Sequence, residues 1–267
     1  MSDSGEIVGV IPAAGYARRI SPLPCSKEIY PIVQPDGSCR AAASYLMENL
    51  RKASVERAFM ILREGKWDIP SYFSEEPKTG LDLAYVVTEA TGGVPQTINK
   101  AYPFIKEDKV LFGFPDIILR PSSAYVSLLG KQAETGADLV LGIFKARDPR
   151  KMDMVDFNDK GAIEDIVIKP EKTSLMYTWI IAAWTPVFTG FLRDFIIKSS
   201  SEGFSGDETS ENKGELYIGD VFREAIQSGI KASSVRFEGG AYLDIGTPSE
   251  LKKAGNVDWT GRFNAIV

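Results

Sequence analysis

The sequence predicts an α/β fold, in which a mostly parallel, twisted central sheet is flanked by helices and carries a small antiparallel elaboration. The first observation is that apolar strands alternate with helical segments between residues 6 and 146, which is typical of α/β proteins. The second is that these strands are apolar along nearly their whole length, as strands covered on both faces are. The third is a change of pattern after residue 153, where a hairpin and short strands replace the alternation.

The first three elements are a strand, a helix and a second strand. EIVGVIPAA (6–14) is a continuous apolar run, which indicates a buried strand. RAAASYLMENLRKAS (40–54) places Leu46 and Leu50 on one apolar stripe and is predicted to be an amphipathic helix. RAFMILRE (57–64) is again short and apolar, and it is predicted to be the next strand.

The rest of the alternation follows the same two patterns. KVLFGFPDIIL (109–119) is the most apolar segment and is predicted to be one strand. The helix that follows it is closed by Gly136, because glycine commonly succeeds the last helical residue. In chain order we predict a strand at 81–89, a helix at 94–104, the strand at 109–119, a helix at 122–136 and a strand at 137–146.

The second part of the chain is predicted to mix antiparallel strands with helices. Residues 154–170 suit a hairpin that turns around Asn158–Gly161. Residues 199–215 are polar and rich in glycine and serine, which predicts a mobile surface loop. Thr247 is predicted to cap a final helix that starts near Pro248. The other predictions are a strand at 176–184, helices at 187–199 and 216–229, and short strands at 234–237 and 241–245.

The domain organisation is predicted to be simple. A chain of 267 residues suits one large domain or two small ones, and neither a linker nor an internal repeat is evident. We expect one domain over 1–267, with a first half at about 1–120, a second half at about 121–255 and a C-terminal tail at 256–267.

Composition narrows the classes of function. A net charge of −5 argues against nucleic acid as a partner. No apolar run is long enough for a membrane span and we expect no signal peptide, so a membrane partner is not expected. Cys25 and Cys39 suggest reduced thiols of a cytoplasmic protein, with a structural disulfide as the alternative. The absence of histidine excludes Ser-His-Asp and Cys-His hydrolases and histidine-ligated zinc.

The loop after the first strand concentrates cations. IPAAGYARRISPLPCSKEIYPI (11–32) contains Arg18, Arg19 and Lys27 on an irregular segment. Ligands of open α/β sheets bind at the carboxyl ends of the strands, where this loop is expected to lie. Gly15 permits a phosphate to approach the backbone, and the cations suit a polyanion. The spacing alone is equally compatible with surface cations on a loop stiffened by prolines.

This loop resembles the N-terminal signature of the sugar-1-phosphate nucleotidylyltransferases, [AG]-G-x-G-T-R-L-x-P-L-T followed by P-K-x-[LM]-x-P-[VI]. Ala17, Arg18 and Ser26 depart from the signature, where the family has glycine, threonine and proline. The positions that match are Gly15, Arg19, Pro22, Leu23, Lys27 and Pro31. The resemblance implies that the first half of the chain binds a nucleoside triphosphate and that Arg19 and Lys27 stabilise charge as pyrophosphate leaves.

Further segments resemble the family in the same order along the chain. TGGVPQTINKA resembles the turn that contacts the nucleobase through backbone groups near Gly93, and Thr88 stands where many members have a base-reading glutamine. VIKPEK places Lys169 where a lysine meets the sugar phosphate, and GELYIGDVFREAIQSG resembles the helix before the last strands. The implied nucleotide-binding residues are Ala13, Ala14, Gly15, Tyr16, Ala17, Arg18, Arg19, Lys27, Thr88, Gly92 and Gly93.

Two aspartates occupy the places of the family's metal ligands. FGFPDII resembles the strand that ends in the first of them, which gives Asp116 a catalytic role, and GGAYLDIGTPSEL places Asp244 at the second. Carboxylates from distant strands are ligands that Mg²⁺ prefers, with waters and phosphates completing the octahedron. The alternatives are a turn or helix-capping residue for Asp116 and an Asx turn before Gly246 for Asp244.

The predicted acceptor-binding region differs most from the pattern of the family. Asp153 stands where hexose-specific members have a glycine, and Ile168 stands where they have a sugar-binding glutamate. An apolar side chain cannot replace a carboxylate that bonds sugar hydroxyls, so we expect an altered pocket. The predicted acceptor-binding residues are Asp153, Lys169, Tyr177 and Trp179, although strand aromatics are more often core residues and Lys169 could be a solvated charge.

The implied reaction is nucleotidyl transfer to a phosphorylated small molecule, which needs no general base because a phosphomonoester dianion is already a nucleophile. The alternatives are a catalytically inactive, nucleotide-binding regulatory paralogue, favoured by Ala17 and Arg18, and a nucleotide-sugar-dependent glycosyltransferase. The latter class typically has a D-x-D motif, whereas FPDII has a single aspartate. Assembly into a homo-oligomer would fit the family.

Overall fold

The computed structural model describes residues 5–34, 36–75, 80–201 and 216–254. The strands are β1 (Ile7–Ala13), β2 (Pro31–Val33), β3 (Cys39–Ala41), β4 (Arg57–Arg63), β5 (Asp82–Thr88), β6 (Lys109–Phe112), β7 (Ile117–Arg120), β8 (Leu139–Lys145), β9 (Met154–Phe157), β10 (Ile163–Val167), β11 (Tyr177–Trp184), β12 (Ala232–Arg236) and β13 (Ala241–Asp244). The helices are α1 (Ala42–Lys52), α2 (Asp68–Glu75), α3 (Val94–Asn99), α4 (Tyr102–Ile105), α5 (Ala124–Thr135), α6 (Pro186–Ser201), α7 (Ile218–Gln227) and α8 (Pro248–Ala254).

A nine-stranded sheet forms the centre of the molecule. Its main path runs β10-β9-β11-β6-β1-β4-β5, and β8 joins β11 to β12. The strands β6, β1, β4 and β5 are mutually parallel, whereas β11 runs antiparallel to both β6 and β8. Two small antiparallel sheets, β13-β7 and β2-β3, lie outside it. The predicted fold class, a mostly parallel sheet with an antiparallel elaboration, is confirmed.

The two faces of the sheet bury separate clusters of apolar side chains, as expected for strands covered on both sides. On one face α1 packs so closely on β1 that a Cβ at Gly9 would lie 2.9 Å from Leu50 Cδ1. On the other face Trp184 of β11 packs against Phe188 of α6, which in turn packs against Phe222 of α7. This packing fixes β1 and β6, whose carboxyl ends carry the loops of the candidate site.

The predicted strand at 109–119 is wrong, because the chain leaves the central sheet after Phe112. Gly113 and Pro115 interrupt the apolar run, and the chain turns so that Ile117 N–H donates to Phe114 O at 3.2 Å. A side chain at Gly113 would collide with Tyr125 Oη at 2.2 Å. The second part becomes β7, which pairs with β13 in a different sheet. Asp116 therefore lies in the turn between two sheets and not at the end of a strand.

Several boundaries also differ from the predictions. The predicted helix at 94–104 divides into α3 and α4, with Pro103 in the first turn of α4. The small strands β2 and β3 and the helix α2 were not predicted, because their short or mixed patterns carry little periodicity. The hairpin is confirmed by antiparallel β9 and β10, and Thr247 Oγ1 accepts a hydrogen bond from Glu250 N at the start of α8.

Some predictions fall beyond the described residues. The loop predicted for 199–215 begins within α6, and its part at 202–215 lies outside the described ranges, as does the tail at 256–267. The division into halves of one domain stays a prediction. In the part of the chain that the structure describes, the helices are too short or too polar to cross a membrane.

Candidate active site

The loop after β1 forms a tight turn at the carboxyl edge of the parallel strands. Ala17 has φ of 55°, in the left-handed region, and its carbonyl accepts hydrogen bonds from Ile20 N and Ser21 N, both at 3.0 Å. Alanine costs about 1 kcal/mol there relative to glycine, which is the residue of the resembled signature. The backbone conformation of the glycine is thus retained although the side chain differs.

The exposed side chains of this loop are mainly cationic and aromatic. Tyr16 is 40% exposed, and the guanidinium groups of Arg18 and Arg63 lie 5.1 Å and 4.3 Å from its ring centroid. Arg19 is exposed, as is Gly15, where a Cβ would have no atom within 4 Å. Ala13 ends β1 and is buried together with Ala14. The loop therefore offers open backbone at Gly15 with cations around it.

Lys27 points inward from the end of the same loop. Its Nζ lies 2.5 Å from Asp116 Oδ2, and the two side chains are 18% and 11% exposed. Burial acts to lower the pKa of Lys27, but Asp116 and then Glu28 outweigh it, so the pKa is raised. The surroundings of Lys27 therefore favour its charged ammonium form.

A serine and an aspartate hold the backbone that carries Lys27. Ser26 stands where the resembled signature has proline, and Asp68 at the start of α2 binds it twice. Ser26 N donates to Asp68 Oδ2 at 2.7 Å, and Ser26 Oγ donates to Asp68 Oδ1 at 2.8 Å. These two hydrogen bonds restrain the chain where a proline ring would otherwise fix φ.

A buried ion pair beneath the loop was missed in the sequence. Lys66 Nζ lies 2.7 Å from Glu28 Oε1 and donates to Ala13 O at 2.8 Å, while Glu28 is fully buried and Lys66 is 5% exposed. Burial lowers the pKa of Lys66, and Glu28 opposes this. The pair ties the end of β1 to the residue after Lys27. Glu28 follows the lysine of the matched motif directly, and its position there was the only signal available.

Asp116 and Asp244 come together across the small sheet. Asp244 is paired with Ile117 in the β13–β7 ladder, and Ile245 N donates to Asp116 O at 3.0 Å. Burial acts to raise the pKa of Asp116, but Lys27 outweighs it and the pKa is lowered. Burial, and then the charge of Asp116, raise the pKa of Asp244. Two carboxylates that repel each other in this way suit a shared cation.

Arg19 reaches this pair of carboxylates from the loop. A Cβ at Gly246 would lie 2.8 Å from an Arg19 guanidinium nitrogen and 2.8 Å from Asp244 Oδ1. Gly246 N also donates to Asp244 Oδ1 at 2.7 Å, which is the Asx-type contact considered in the sequence. The structure therefore brings Arg19, Lys27, Asp116 and Asp244 close together. Their catalytic and metal-binding roles remain predictions.

Asp116 and Asp244 are the two candidate metal ligands at this place. Across the described ranges, groups of three or more acidic or cysteine side chains that could hold a metal by themselves are absent. Asp116 and Asp244 supply two hard oxygen ligands, and a Mg²⁺ ion ordinarily completes its octahedron with water and substrate phosphates. The two residues thus fit a substrate-assisted Mg²⁺ site better than a site built from protein alone.

The glycine turn after β5 lies on the same edge of the sheet. Gly93 has φ of 152°, and a Cβ there would lie 2.4 Å from Leu216 O, so no other residue fits. Gly93 O accepts hydrogen bonds from Thr97 Oγ1 at 3.0 Å and from Thr97 N at 3.1 Å. Thr88 ends β5 with a buried side chain, and Gly92 precedes the turn. The predicted base-binding residues are therefore neighbours in space.

The predicted acceptor residues divide into two groups. Lys169 has φ of 39° and places Nζ 3.3 Å from the ring centroid of Tyr217. Burial raises the pKa of Asp153, and Lys169 and Trp179 lie close enough to oppose that rise. Tyr177 packs differently, against Phe157 at 5.7 Å and under the Arg236 guanidinium at 5.8 Å. The described contacts therefore group Asp153, Lys169 and Trp179, and they do not include Tyr177.

One segment joins the two halves of the site, which the sequence did not indicate. Leu216 pairs with Gly93 through a parallel bridge. The next residue, Tyr217, carries the ring under Lys169, and Gly219 in the first turn of α7 touches Asp153. The five residues 216–220 therefore connect the glycine turn to the predicted acceptor pocket.

Comparisons with known proteins agree with this geometry. A glucose-1-phosphate thymidylyltransferase of Neisseria meningitidis is 22% identical over 249 residues, which cover 92% of this chain and 80% of that protein. A crystal structure described as a glucose-1-phosphate thymidylyltransferase from Bacillus anthracis in complex with sucrose superposes with a TM-score of 0.77, at 18% identity, covering 97% of this chain and 98% of that one. A UDP-glucose pyrophosphorylase complexed with UDP-glucose gives 0.75, at 19% identity, covering 94% and 97%.

The likeness to these solved structures concerns the fold, since identities are below 25%. The family itself is shown by a sequence model described as nucleotidyl transferase, which matches residues 8–259 and so nearly the whole chain. The glycosyltransferase alternative has no support from that match. The chain belongs to the nucleotidyl transferase family.

Proposed function

We propose that the protein is an enzyme that transfers a nucleoside monophosphate from a nucleoside triphosphate to a sugar 1-phosphate or a similar phosphorylated acceptor, and releases pyrophosphate. The observation that carries the proposal is the convergence of Arg19, Lys27, Asp116 and Asp244 at the carboxyl edge of the parallel strands. Such an edge is where open α/β sheets bind their ligands. Family membership supports the same reaction class.

The proposed chemistry depends on positioning and on charge. An oxygen of the acceptor phosphate attacks the α-phosphorus, the bond between the α- and β-phosphates breaks, and the electron pair leaves with pyrophosphate. Arg19 and Lys27 bind the phosphates and stabilise the negative charge that develops on the leaving group. The absence of histidine is no obstacle, because the dianionic acceptor phosphate needs no general base.

We propose Mg²⁺ as the cofactor, held by Asp116 and Asp244. Their mutual repulsion and their hard oxygen atoms support this assignment. When bound, the ion neutralises phosphate charge and helps to orient the α-phosphate. Lys27, which lies beside Asp116, keeps that carboxylate ionised and so able to hold the ion.

We assign the nucleobase contacts to the first half of the chain and the acceptor contacts to the second half. Backbone groups at Gly92 and Gly93 would contact the nucleobase, with Thr88 close behind them, while Lys169 would bind the acceptor phosphate. Cys25 and Cys39 are both free thiols, which supports a reducing, cytoplasmic location.

A second candidate is a regulatory paralogue that binds the nucleotide without turning it over. The observation that favours it is Ala17, which adopts a left-handed conformation better suited to the glycine of the resembled signature. Arg18, whose guanidinium packs on Tyr16, is the other departure in this loop.

The test is pyrophosphate release with each common nucleoside triphosphate and a panel of phosphorylated acceptors, in Mg²⁺ and in EDTA. We expect Mg²⁺-dependent release with at least one pair, and its loss in Asp116→Asn and Asp244→Asn. The matched control is Asp82→Asn, an exposed aspartate at the amino end of β5 and thus at the opposite edge of the sheet. Nucleotide binding by calorimetry with no release from any pair would favour the regulatory paralogue.

A further inference from the structure

We propose that the phosphorylated acceptor carries a cationic amine and that the carboxylate of Asp153 binds its ammonium group. The inference rests on the proposed function, because it concerns the acceptor side of the same site. It deepens that function by naming the class of acceptor. The observations that carry it are the packing of Asp153, the buried carboxyl oxygen that lacks a hydrogen bond, and the balance of charges around it.

Asp153 is held rigidly at the start of β9. Its carbonyl accepts a hydrogen bond from Thr178 Oγ1 at 2.8 Å, and the adjacent Met154 is paired with Thr178 in the sheet. Its carboxyl group faces the first turn of α7, where a Cβ at Gly219 would lie 2.3 Å from Asp153 Oδ2. Only glycine leaves room for the carboxyl there, so the helix is fitted closely around it.

One oxygen of the carboxyl group is left without a hydrogen-bond partner. Asp153 Oδ1 is buried without a hydrogen bond, and across the residues that the structure describes Asp153 takes part in no ion pair. The indole N–H of Trp179 lies close enough to lower the pKa of Asp153, yet Trp179 Nε1 is also buried without a hydrogen-bond partner. Trp179 is only 7% exposed. Buried polar atoms of this kind are rare unless a ligand or water completes them.

The carboxylates of Asp153 and Asp220 would be stabilised by a cation bound between or beside them. Asp220, in the first turn of α7, is a second carboxylate near Asp153, and one of its oxygens accepts a hydrogen bond from Tyr217 N at 2.9 Å. The neighbouring cation is Lys169, whose ammonium rests on the Tyr217 ring. Once Lys169 binds the acceptor phosphate, the two carboxylates have no counter-charge. A neutral hydroxyl does not provide one, whereas an ammonium group does.

The electrostatic state of Asp153 agrees with this reading. Burial raises the pKa of Asp153 to about 6, and Asp220 adds to the rise, whereas Lys169 and Trp179 oppose it. A carboxyl group held in this state gains most from a ligand that brings a positive charge. Such a ligand would return the pKa toward its ordinary range.

Packed side chains connect the surroundings of Asp153 with the proposed reaction centre. The Trp179 ring packs against Phe114, with centroids 6.0 Å apart, and Phe114 is two residues before Asp116. Ile168, the residue after β10, packs on the same turn of α7, since its Cδ1 would lie 2.8 Å from a Cβ at Gly219. An amine bound at Asp153 would therefore lie near Lys169, the proposed ligand of the acceptor phosphate.

The experiment compares acceptors that differ only in charge. Pyrophosphate release is measured with glucosamine 1-phosphate against glucose 1-phosphate, and with 2-aminoethyl phosphate against 2-hydroxyethyl phosphate, with phosphocholine as a cation that donates no hydrogen bond. The first pair tests an amino sugar and the second an amino alcohol as the source of the amine. We expect kcat/KM to favour the amine at least about 10-fold in one pair, as a desolvated charge pair allows.

The variant Asp153→Asn should abolish this preference through KM, while the exposed Asp156→Asn on the same strand retains it. The KM of the amine acceptor should also rise as pH falls below about 6, more than for its neutral partner and not in Asp153→Asn. The neutral partner controls for titration of the phosphate itself.

Equal or better use of the neutral acceptors, or an unchanged preference in Asp153→Asn, would overturn the proposal. If no acceptor supports release, the proposed function fails separately. Calorimetric binding of the same amine and hydroxyl pairs to the protein with bound nucleotide then decides the inference alone. Tighter binding of the amine, lost in Asp153→Asn, supports it, and equal binding contradicts it.

Discussion

Lys27 shows how much of the candidate site depends on single charged side chains. Its ammonium lies 2.5 Å from Asp116 Oδ2 and is largely withdrawn from water. Each charge offsets the cost of removing the other from water, and a buried charge that loses its partner is strongly destabilising. The same ammonium is our candidate for binding the triphosphate, so we expect Lys27 to contribute to both stability and activity.

Lys27→Met is therefore expected to lower both stability and activity. It leaves Asp116 buried without its partner, and we expect a loss of about 2–4 kcal/mol in the free energy of unfolding. Pyrophosphate release should fall at least about 100-fold, as on removal of a group that stabilises developing charge. Denaturant unfolding and initial rates measure the two effects.

The control for Lys27→Met is Lys131→Met, which breaks a surface ion pair with Glu134 at 3.1 Å. That change should cost less than about 0.5 kcal/mol, because exposed pairs contribute little. In the double variant Lys27→Met/Asp116→Asn stability should partly recover without activity. Equal stability of Lys27→Met and the native protein would contradict the account of this pair.

Asp153→Asn is expected to make the protein more stable at high pH, whereas Lys27→Met lowers stability. The folded pKa of about 6 lies above the ordinary value of 3.8, so the native state binds a proton more tightly than the unfolded state. Stability is therefore lost as pH rises from about 4 to about 6. The asparagine avoids this loss and should add about 1–2 kcal/mol at pH 8, which is less than the full shift because the group is partly exposed.

Urea unfolding of the native protein and Asp153→Asn at pH 4 and pH 8 measures this effect. The two curves should nearly coincide at pH 4 and separate at pH 8. A gain in stability on removing a candidate binding residue is typical of sites that retain strain for function. A variant that is less stable than the native protein at pH 8 would show that Asp153 is instead satisfied within the fold.

At the scale of elements, the site is made by departures from regular structure. The turn at 113–116 takes the chain out of the central sheet and places Asp116 opposite Asp244. The left-handed Ala17 turns the loop after β1 back toward the same place. Segment 216–220 crosses from the glycine turn to the acceptor side. Each departure occurs beside a strand end that the core holds in position.

Gly93→Ala tests the contact between two of these elements. A Cβ at Gly93 would lie 2.4 Å from Leu216 O, and φ of 152° strains any other residue. We expect a loss of at least about 2 kcal/mol in stability. Weaker nucleotide binding is also expected, because the turn and segment 216–220 must separate.

The matched control is Gly130→Ala in α5, where a Cβ meets nothing within 4 Å. That change should raise stability slightly, by up to about 1 kcal/mol, because alanine favours a helix. Thermal unfolding with and without each nucleoside triphosphate measures both variants. Normal stability and nucleotide binding in Gly93→Ala would refute the proposed role of this contact.

At the scale of the molecule, the periodic parts were predictable and the turns between them were not. The alternation of β1, α1 and β4 follows from continuous apolar runs and one amphipathic stripe. The break after Phe112 was missed, because an apolar run with one glycine and one proline also suits a single strand. Whether such a run bends depends on what packs beside Gly113, which is tertiary information.

The candidate site was predictable only where a motif carried it. Resemblance to the family pointed to Arg19, Lys27, Asp116 and Asp244, and the structure brings these four together. The pair Glu28–Lys66 was missed, because nothing in a local sequence separates a buried charge from a solvated one. The close approach of Gly219 to the Asp153 carboxyl group was also missed, because it joins residues far apart in the sequence.

The central claim is that the protein transfers the nucleoside monophosphate part of a nucleoside triphosphate to an acceptor phosphate. The most direct measurement follows the nucleoside triphosphate labelled at its α-phosphate, incubated with Mg²⁺ and each acceptor, with products separated by anion-exchange chromatography. We predict that the label moves into a new diphosphate-linked product in step with release of pyrophosphate. Label that remains in the triphosphate, or that appears in a nucleoside diphosphate with release of inorganic phosphate, would contradict nucleotidyl transfer.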